Sequence, residues 1–344
     1  MTEAQKQNYH VPEEYAGWTL ATLLRRVRPE LSWSRVRRLI HHRHVQVNGN
    51  LCTDDARRLK AGDVVAVWRQ PRAAPVRPED IQIVYQDRHL VVVDKPAGIT
   101  TLRHPEERRW PRRRRQLQPT LDEMLLAILQ DVHSRKKPPD RFTPAKKRRP
   151  PTGGRSRWPY RIYPVHRLDR ETSGLVLFAL SPDAYQKLVP MFRKHEIHRV
   201  YLALVLGRVE EQTIRSYLLR DRGDGLRGSS PQPGRGQEAV THVRPLEYLP
   251  GYTLLECRLE TGRTHQIRIH LSEVGHRVCG EKIYTYPLGG KATPDPSGAQ
   301  RHMLHAAQLG FRHPITDEEL LLESPLPDDM RRLLETLRRQ AETP

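Results

Sequence analysis

The sequence around Asp169 combines an acid, a cation and small residues at a spacing that could do chemistry. Arg167 precedes the aspartate by two positions, and Thr-Ser-Gly at 172–174 leads into an apolar run. Side chains two positions apart share one face of an extended chain. The spacing therefore predicts a carboxylate exposed beside a guanidinium at the edge of a strand. An ordinary surface ion pair, which contributes little to stability, is the alternative.

Further motifs accompany this segment along the chain. Residues 166–174 read His-Arg-Leu-Asp-Arg-Glu-Thr-Ser-Gly and match the central motif of the RluA family of pseudouridine synthases at every fixed position. Segments that resemble the family's other motifs stand at 92–98, 201–205, 261–271 and 304–306. The chain is thus similar to this family over residues 81–314, apart from insertions. It differs at two positions, with Arg199 in place of the usual Lys and Glu281 in place of the usual Asp.

The resemblance implies a fold and a reaction. The fold is α+β, with a mixed or mainly antiparallel sheet in the catalytic domain and a small α/β domain before it. The reaction turns uridine into pseudouridine: the C–N glycosidic bond breaks, the base turns, and C5 bonds to C1′. Because this isomerisation is redox-neutral and the leaving base is recaptured, no metal and no organic cofactor are expected.

The chemistry of that reaction suggests roles for five residues. A carboxylate must act on the ribose, as nucleophile at C1′ or as base at C2′, and Asp169 is the candidate because a free Asp is ionised at neutral pH. By the resemblance, Arg268 is its ion-pair partner. The freed uracil needs a platform and a proton acceptor near C5, and Tyr201 offers an aromatic face and a phenolic oxygen. Arg263 is a further candidate for RNA binding. Arg167 can stack in the space that an extruded base leaves. A structural helix-face arginine at Arg268 and a buried strand tyrosine at Tyr201 are the alternatives.

The N-terminal region carries a basic helix. Val36, Leu39 and Ile40 lie on one face of this helix. The other face carries Arg35, Arg37 and Arg38. A short alternating segment then meets Asn48-Gly49, a strong tight-turn signal. The arrangement resembles an S4 RNA-binding domain, in which the three arginines would contact RNA. A solvated basic face without a ligand is the alternative.

Changes in composition divide the chain into parts. We expect an S4-like domain at 15–70, a Pro-rich linker at 71–80, a catalytic domain at 81–323, and a terminal helix and tail at 324–344. Like-charge blocks and prolines interrupt the catalytic domain at about 103–161, as is typical of basic loops. Elsewhere strand patterns outnumber helical ones without alternating strictly with them, which favours an α+β fold.

The composition indicates an RNA partner. Lys and Arg number 59 against 40 Asp and Glu, a net charge of +19. Such cations displace the counterions condensed on phosphates, so RNA is expected, ribosomal RNA first and transfer RNA second; a basic protein without this role is the alternative.

No apolar run reaches the ~18 residues of a membrane span. Cys52, Cys257 and Cys279 lie too far apart for a disulfide scaffold or a Cys-x-x-Cys zinc site. A cytoplasmic protein is therefore expected, and we expect a monomer.

Two other kinds of function compete with this prediction. A non-catalytic RNA-binding or ribosome-assembly protein could keep the same fold, although the intact Asp169, Tyr201 and Arg268 argue against it. A nuclease or another hydrolase would cut the chain or free the base and would depend on a metal. His265 and His270 are five positions apart, which does not match the His-x-x-x-His pair of zinc hydrolases. The sequence leaves the target uridine open.

Overall fold

A computed structural model describes most of the chain. It describes residues 6–48, 50–69, 71, 76–104, 107, 109, 119–136, 161–223, 225–286, 290–291 and 294–342. The chain forms two compact units, Met1–Pro75 with Arg103–Pro119, and Val76–Leu102 with Thr120–Pro344. Most of the basic insertion predicted at 103–161 lies outside the described residues.

The first unit contains a four-stranded antiparallel sheet and two helices. Its elements are β1 (Lys6–His10), α1 (Leu20–Val27), α2 (Trp33–His41), β2 (Val45–Val47), β3 (Asn50–Leu51) and β4 (Val64–Trp68). The strands lie in the order β1-β4-β2-β3. Strand β1 pairs with β4 along its whole length, so the sheet begins before the domain boundary predicted at residue 15.

Local sequence signals account for the helices and the turn of this unit. The side chains of Thr19 and Ser32 accept hydrogen bonds from backbone N–H groups three positions on, which caps α1 and α2. Val36 and Ile40 bury one face of α2, as predicted. Asn48 takes a left-handed backbone, with φ of 51°, at the turn between β2 and β3.

The second unit is built on one large mixed sheet. Its strands are β5 (Gln82–Gln86), β6 (Leu90–Lys95), β7 (Tyr163–Pro164), β8 (Ser173–Ala179), β9 (His198–Leu206), β10 (Gln212–Leu219), β11 (Gly228–Ser230), β12 (Gln237–Leu249), β13 (Tyr252–Leu259), β14 (Leu304–Arg312) and β15 (Glu319–Glu323). Their order is β11-β10-β12-β13-β9-β14-β8-β6-β5, with β7 pairing with β8 and β15 with β14. Among these described strands only the pairing of β8 with β14 is parallel. The predicted α+β class with a mixed, mainly antiparallel sheet is confirmed.

Helices pack against the sheet of the second unit. They are α3 (Leu121–Lys136), α4 (Pro182–Arg193), α5 (Gln266–Glu273) and α6 (Asp328–Glu342). Val176 and Phe178 of β8 share a core with residues of α3, α5 and α6, whereas Leu175 and Leu177 share another with α4. A strand that is covered on both faces is apolar throughout, which explains the unbroken apolar run of β8. Within the described ranges, no helix is long and apolar enough to cross a membrane.

Gly174 lets two strands meet next to the Asp169 segment. The parallel pairing of β8 with β14 joins Ser173 to His305 and Gly174 to Ala306. Gly174 has φ of +109°, and a Cβ atom there would lie 2.2 Å from the carbonyl oxygen of Ala306. Any side chain would therefore force the strands apart. The small residues of the motif thus bring the chain into the sheet directly beside β14.

Candidate active site

The loop that carries Asp169 is fixed on both sides of the aspartate. Thr101 Oγ1 donates to the carbonyl oxygen of Leu168 at 2.7 Å and accepts from the Leu168 N–H at 3.2 Å. On the other side, the buried Nζ of Lys95 donates to the carbonyl oxygen of Arg170 at 3.0 Å and to two carbonyl oxygens of its own turn. Burial lowers the pKa of Lys95 to about 7. These bonds hold the aspartate at a defined position.

Arg268 joins two carboxylates. Its Nη1 donates to Asp169 Oδ2 at 2.8 Å, and its Nε and Nη2 donate to the two carboxylate oxygens of Glu281 at 2.6 and 2.9 Å. Arg268 lies on the buried helix α5, and only 5% of its side chain is exposed, against 22% for Asp169. The guanidinium is thus anchored in the interior by Glu281 and presents one N–H to a carboxylate that solvent can still reach.

His265 approaches Asp169 from the start of α5. Its Nε2 lies 3.5 Å from Asp169 Oδ1, and its Nδ1 lies 2.6 Å from the Tyr284 hydroxyl. Its backbone is left-handed, with φ of 61°, at the N-cap of the helix. Burial lowers the pKa of His265 against the opposing effect of Asp169, so the ring is mainly neutral at pH 7. A Tyr284 hydroxyl that donates to Nδ1 leaves the Nε2–H directed at the carboxylate.

Asp169 stays ionised despite its enclosure. Burial by itself raises the pKa of this carboxyl, but His265 and Arg268 outweigh burial and hold the pKa below the ordinary value of 3.8. Burial also raises the pKa of Glu281, and the hydrogen bonds from Arg268 reverse this and lower it to about 2. For Arg268 the two carboxylates raise the pKa more than burial lowers it. The cluster therefore holds one cation and two anions at neutral pH.

Tyr201 and Asp169 line one pocket. Tyr201 lies on β9 and is 9% exposed, and burial raises the pKa of its hydroxyl. The other lining residues are Arg167, Leu168, Thr172, Leu259, Arg263, His265, Gln266, Ile267, Arg268 and Leu304. The pocket is small, with a volume of about 60 Å³. A larger groove of about 940 Å³ lies between α4 and the β14–β15 hairpin and contains none of the predicted site residues.

Both units of the chain match known protein families. Residues 89–273 match the family described as RNA pseudouridylate synthase, and residues 18–65 match the S4 domain. The chain belongs to the RNA pseudouridylate synthase family. It is 35% identical over 331 residues to the ribosomal large subunit pseudouridine synthase D of Zymomonas mobilis, which covers 94% of this chain and 95% of that protein. It is 34% identical over 317 residues to an uncharacterized RNA pseudouridine synthase of Bacillus subtilis, which covers 90% of this chain and 91% of the relative.

Two solved human structures share the fold of this pseudouridine synthase. RNA Pseudouridylate Synthase Domain Containing 4 is 21% identical with a TM-score of 0.54, and the match covers 75% of this chain and 93% of that one. RNA Pseudouridylate Synthase Domain Containing 1 is 23% identical with a TM-score of 0.52, and covers 77% and 98%. The predicted family, fold class and enzyme class are therefore confirmed.

The structure of this pseudouridine synthase brings five of the predicted site residues together. Asp169, Tyr201 and Arg268 lie around the pocket, and Arg167 and Arg263 also line it. The Arg167 side chain is exposed. The Nε of Arg263 donates to a backbone oxygen of β12 at 3.1 Å, which orients its guanidinium along the sheet. The roles of these five residues in the reaction stay predictions.

The three arginines of α2 lie in the first unit. Arg35, Arg37 and Arg38 are all exposed, as predicted for a basic helix face. The Nε of Arg37 lies 3.3 Å from Asp55 Oδ2, so this arginine is partly neutralised. The contact of the three side chains with RNA stays a prediction.

Sequence reasoning does not assign a site role to Glu281, His265 or Tyr284. Glu281 is noticed only as a replacement for the usual Asp, whereas in the structure it anchors Arg268. His265 is expected to be a structural histidine, and no role is predicted for Tyr284. One signal was available for Glu281, because an arginine on a wholly buried helix needs a carboxylate partner.

Proposed function

We propose that the chain isomerises uridine to pseudouridine in structured RNA, with large-subunit ribosomal RNA as its substrate. The observation that carries this proposal is the Asp169–Arg268 ion pair at a pocket that Tyr201 also lines. Relatives 35% and 34% identical to the chain are named ribosomal large subunit pseudouridine synthase D, which supports the choice of substrate. The exposed basic face of α2 supports an RNA ligand.

Asp169 acts on the ribose in this proposal. As a carboxylate it attacks C1′, or it removes the proton from C2′, and the C1′–N1 bond breaks with its electron pair left on the uracil. Either route uses up the negative charge of Asp169. Arg268 then still has Glu281 as a bidentate partner, so no unpaired charge remains buried. Because Glu281 keeps Arg268 paired, Asp169 can lose its charge during the reaction.

Arg167 and Tyr201 handle the base. Arg167 is exposed at the pocket rim, and its flat guanidinium can occupy the gap that the extruded base leaves in the RNA. The Tyr201 ring supports the freed uracil from below. C5 then bonds to C1′ as the Asp169 carboxylate leaves that carbon or returns its proton to C2′. The proton on C5 passes to N1 with the Tyr201 hydroxyl as the relay, so the reaction is an isomerisation overall.

An Asp169→Asn variant tests the proposal, because the amide keeps the shape of the side chain and removes its charge. Both forms are incubated with a transcript of large-subunit ribosomal RNA, which is then digested and analysed for pseudouridine by mass spectrometry. We expect pseudouridine with the wild-type chain only. Asp183→Asn, at an exposed acid of α4, is the matched control and should retain activity.

Other outcomes of this experiment would reject the proposal. Equal pseudouridine formation by Asp169→Asn would remove Asp169 from the chemistry. Free uracil or shortened RNA with the wild-type chain would indicate a hydrolase, and bound but unmodified RNA would indicate a binding protein. The proposal also includes a cytoplasmic location and a monomeric enzyme. Sedimentation of the full chain without RNA tests the monomer, and fractionation of cells tests the location.

A further inference from the structure

Arg199 is a buried cation for which the described part of the chain provides no acidic partner. It lies on β9 with 8% of its surface exposed. Its Nη2 donates to the backbone oxygen of Glu260 at 3.2 Å, and its guanidinium carbon lies 5.8 Å from the centre of the Phe192 ring. Its Nε is buried and has no hydrogen-bond partner. No carboxylate of the described residues lies within 4 Å of it. A buried charge without a counter-charge lowers the stability of the fold, so its presence here indicates a functional role.

The guanidinium of Arg199 lies next to two parts of the site. Tyr201 is two positions further along the same strand, so the two side chains share one face. A Cβ atom on Gly262 would lie 2.5 Å from Arg199 Nη1, which places the cation directly beneath the turn that leads to Arg263. The Arg199 charge lowers the pKa of Tyr201 and the Asp169 charge raises it, so the phenol lies within reach of both fields.

The cluster joined at Arg268 has an excess of negative charge, although Arg167 and Arg263 also line the pocket. Arg268 is the partner of both Asp169 and Glu281, so one positive charge faces two negative ones. The nearby histidines do not compensate, because burial lowers the pKa of His265 and that of His302, the latter to about 3. Arg199 brings the net charge of this group to zero. Unlike Arg268, the buried Arg199 has no carboxylate among the described residues within 4 Å.

The reaction needs such a cation when the base departs. The C1′–N1 bond breaks with its electron pair going to N1, so the detached uracil carries a negative charge spread over its ring and oxygens. By then Asp169 has lost its negative charge, and Arg268 and Glu281 neutralise each other, so this ion pair supplies no net positive charge to the base. A fixed positive charge in a water-poor site favours the charge where it develops.

We propose that Arg199 is the positioning residue whose charge, placed behind Tyr201, stabilises the uracil anion between cleavage and reattachment. The inference rests on the proposed function. Arg199 does not touch the base. It acts through the field at the Tyr201 platform and through its support of the turn at Gly262.

The test compares Arg199→Met, which removes the charge, with Arg199→Lys, which keeps it. Arg258→Met is the matched control, because Arg258 lies on the neighbouring strand in register with Val200 and is exposed. Single-turnover loss of the target uridine is followed on a large-subunit ribosomal RNA transcript and on the same transcript made with 5-fluorouridine. Fluorine withdraws electrons and stabilises the detached base, so that base needs less help from the protein.

We expect Arg199→Met to slow uridine loss about 10-fold at saturating RNA, less than the roughly 100-fold loss caused by removal of a direct transition-state donor, because Arg199 acts only through its field. RNA affinity should not change, Arg199→Lys should recover most of the rate, and Arg258→Met should behave as wild type. The defect of Arg199→Met should be markedly smaller on 5-fluorouridine. That comparison is made within one preparation, so partial misfolding cancels out.

Two results would overturn the role of Arg199 alone. One is wild-type rate in Arg199→Met, and the other is an equal defect on both substrates, which a purely structural residue would give. Absence of pseudouridine with the wild-type chain would overturn the proposed function and this inference together.

Discussion

At Arg268 a single guanidinium serves two acids of different character. Glu281 is fully enclosed and accepts two hydrogen bonds from Arg268. Asp169 is partly exposed and accepts one from the same guanidinium. The first contact holds the arginine in place, and the second holds a reactive group at the pocket. This division of labour depends on the planar, forked shape of the side chain.

Arg268→Lys should therefore be far from conservative. An ammonium cannot donate in parallel to Glu281 and still reach Asp169, so we expect kcat to fall about 100-fold. Pseudouridine formation under saturating RNA gives the rate, and Arg244→Lys, at an exposed ion pair on β12, is the control. An Arg268→Lys enzyme with normal kcat would mean that the shared geometry is unimportant.

Glu281→Gln should make the free energy of unfolding less dependent on pH in the acid range. The pKa of Glu281 is lowered to about 2 in the folded chain against 4.5 for a free glutamate, so its stabilising contribution is complete above pH 4.5 and is lost as the pH falls toward 2. The shift corresponds to about 3 kcal/mol. Urea unfolding should show wild type more stable than the variant at pH 7 and a shrinking difference below pH 4.5. A difference that stays constant with pH would contradict this.

Among the elements, the C-terminal helix α6 reaches the catalytic loop through Arg301. The Nε and Nη2 of Arg301 donate to the carboxylate of Asp329 at 2.7 and 2.9 Å, and its Nη1 donates to the carbonyl oxygen of Glu171 at 3.0 Å. Glu171 follows Asp169 by two positions. The helix thus helps to fix the loop that carries the aspartate.

Asp329→Asn should loosen this loop without removing any group from the pocket. We expect about a tenfold fall in kcat, since small misplacements of a reacting group are costly, together with faster hydrogen exchange in residues 169–174. Asp328→Asn, on the same helix turn but paired at the surface with Arg331, is the control and should show neither effect. Identical hydrogen-exchange rates of residues 169–174 in the two variants would show that α6 does not help to fix the catalytic loop.

The sequence predicted the elements better than the contacts between them. Strands and helices such as β13 and α5 follow from apolar periodicity and from the glycine after the helix. Within the interrupted region at 103–161, the apolar spacing predicts a helix over 121–129 only. Helix α3 runs on to Lys136, because its apolar pattern stops before its helix-forming residues do. S4-type domains often have a glycine just before the first strand, where Arg43 stands here; Arg43 takes φ of 67°, which is strained for a residue other than glycine.

The site itself was only partly predictable. The Asp169 motif was recognised from neighbouring residues, but its partner Arg268 stands 99 positions away and was placed by family resemblance alone. Local patterns carry no information on such pairings. The unpartnered state of Arg199 and the double contact of Arg268 depend on how β9, α5 and the segment around Glu281 pack together, and only the structure gives that.

For the whole molecule, the net charge of +19 predicts salt-sensitive RNA binding. Each phosphate contact contributes about 0.7 to 0.9 to the slope of log affinity against log salt. Arg35→Ala with Arg38→Ala, on α2, should lower that slope by about 1.5, while Arg312→Ala, at a surface ion pair of β14, should change it little. Fluorescence anisotropy with a labelled ribosomal RNA transcript measures the slope. An unchanged slope would remove α2 from the RNA interface.

The most direct test of the central claim, that the Asp169 carboxylate makes pseudouridine in large-subunit ribosomal RNA, uses cells of the source organism. The gene is deleted, and pseudouridines are mapped across all cellular RNAs before and after complementation. We predict that sites lost from large-subunit ribosomal RNA return with the wild-type gene and do not return with Asp169→Asn. Full return of those sites with Asp169→Asn, or no loss on deletion, would contradict the claim.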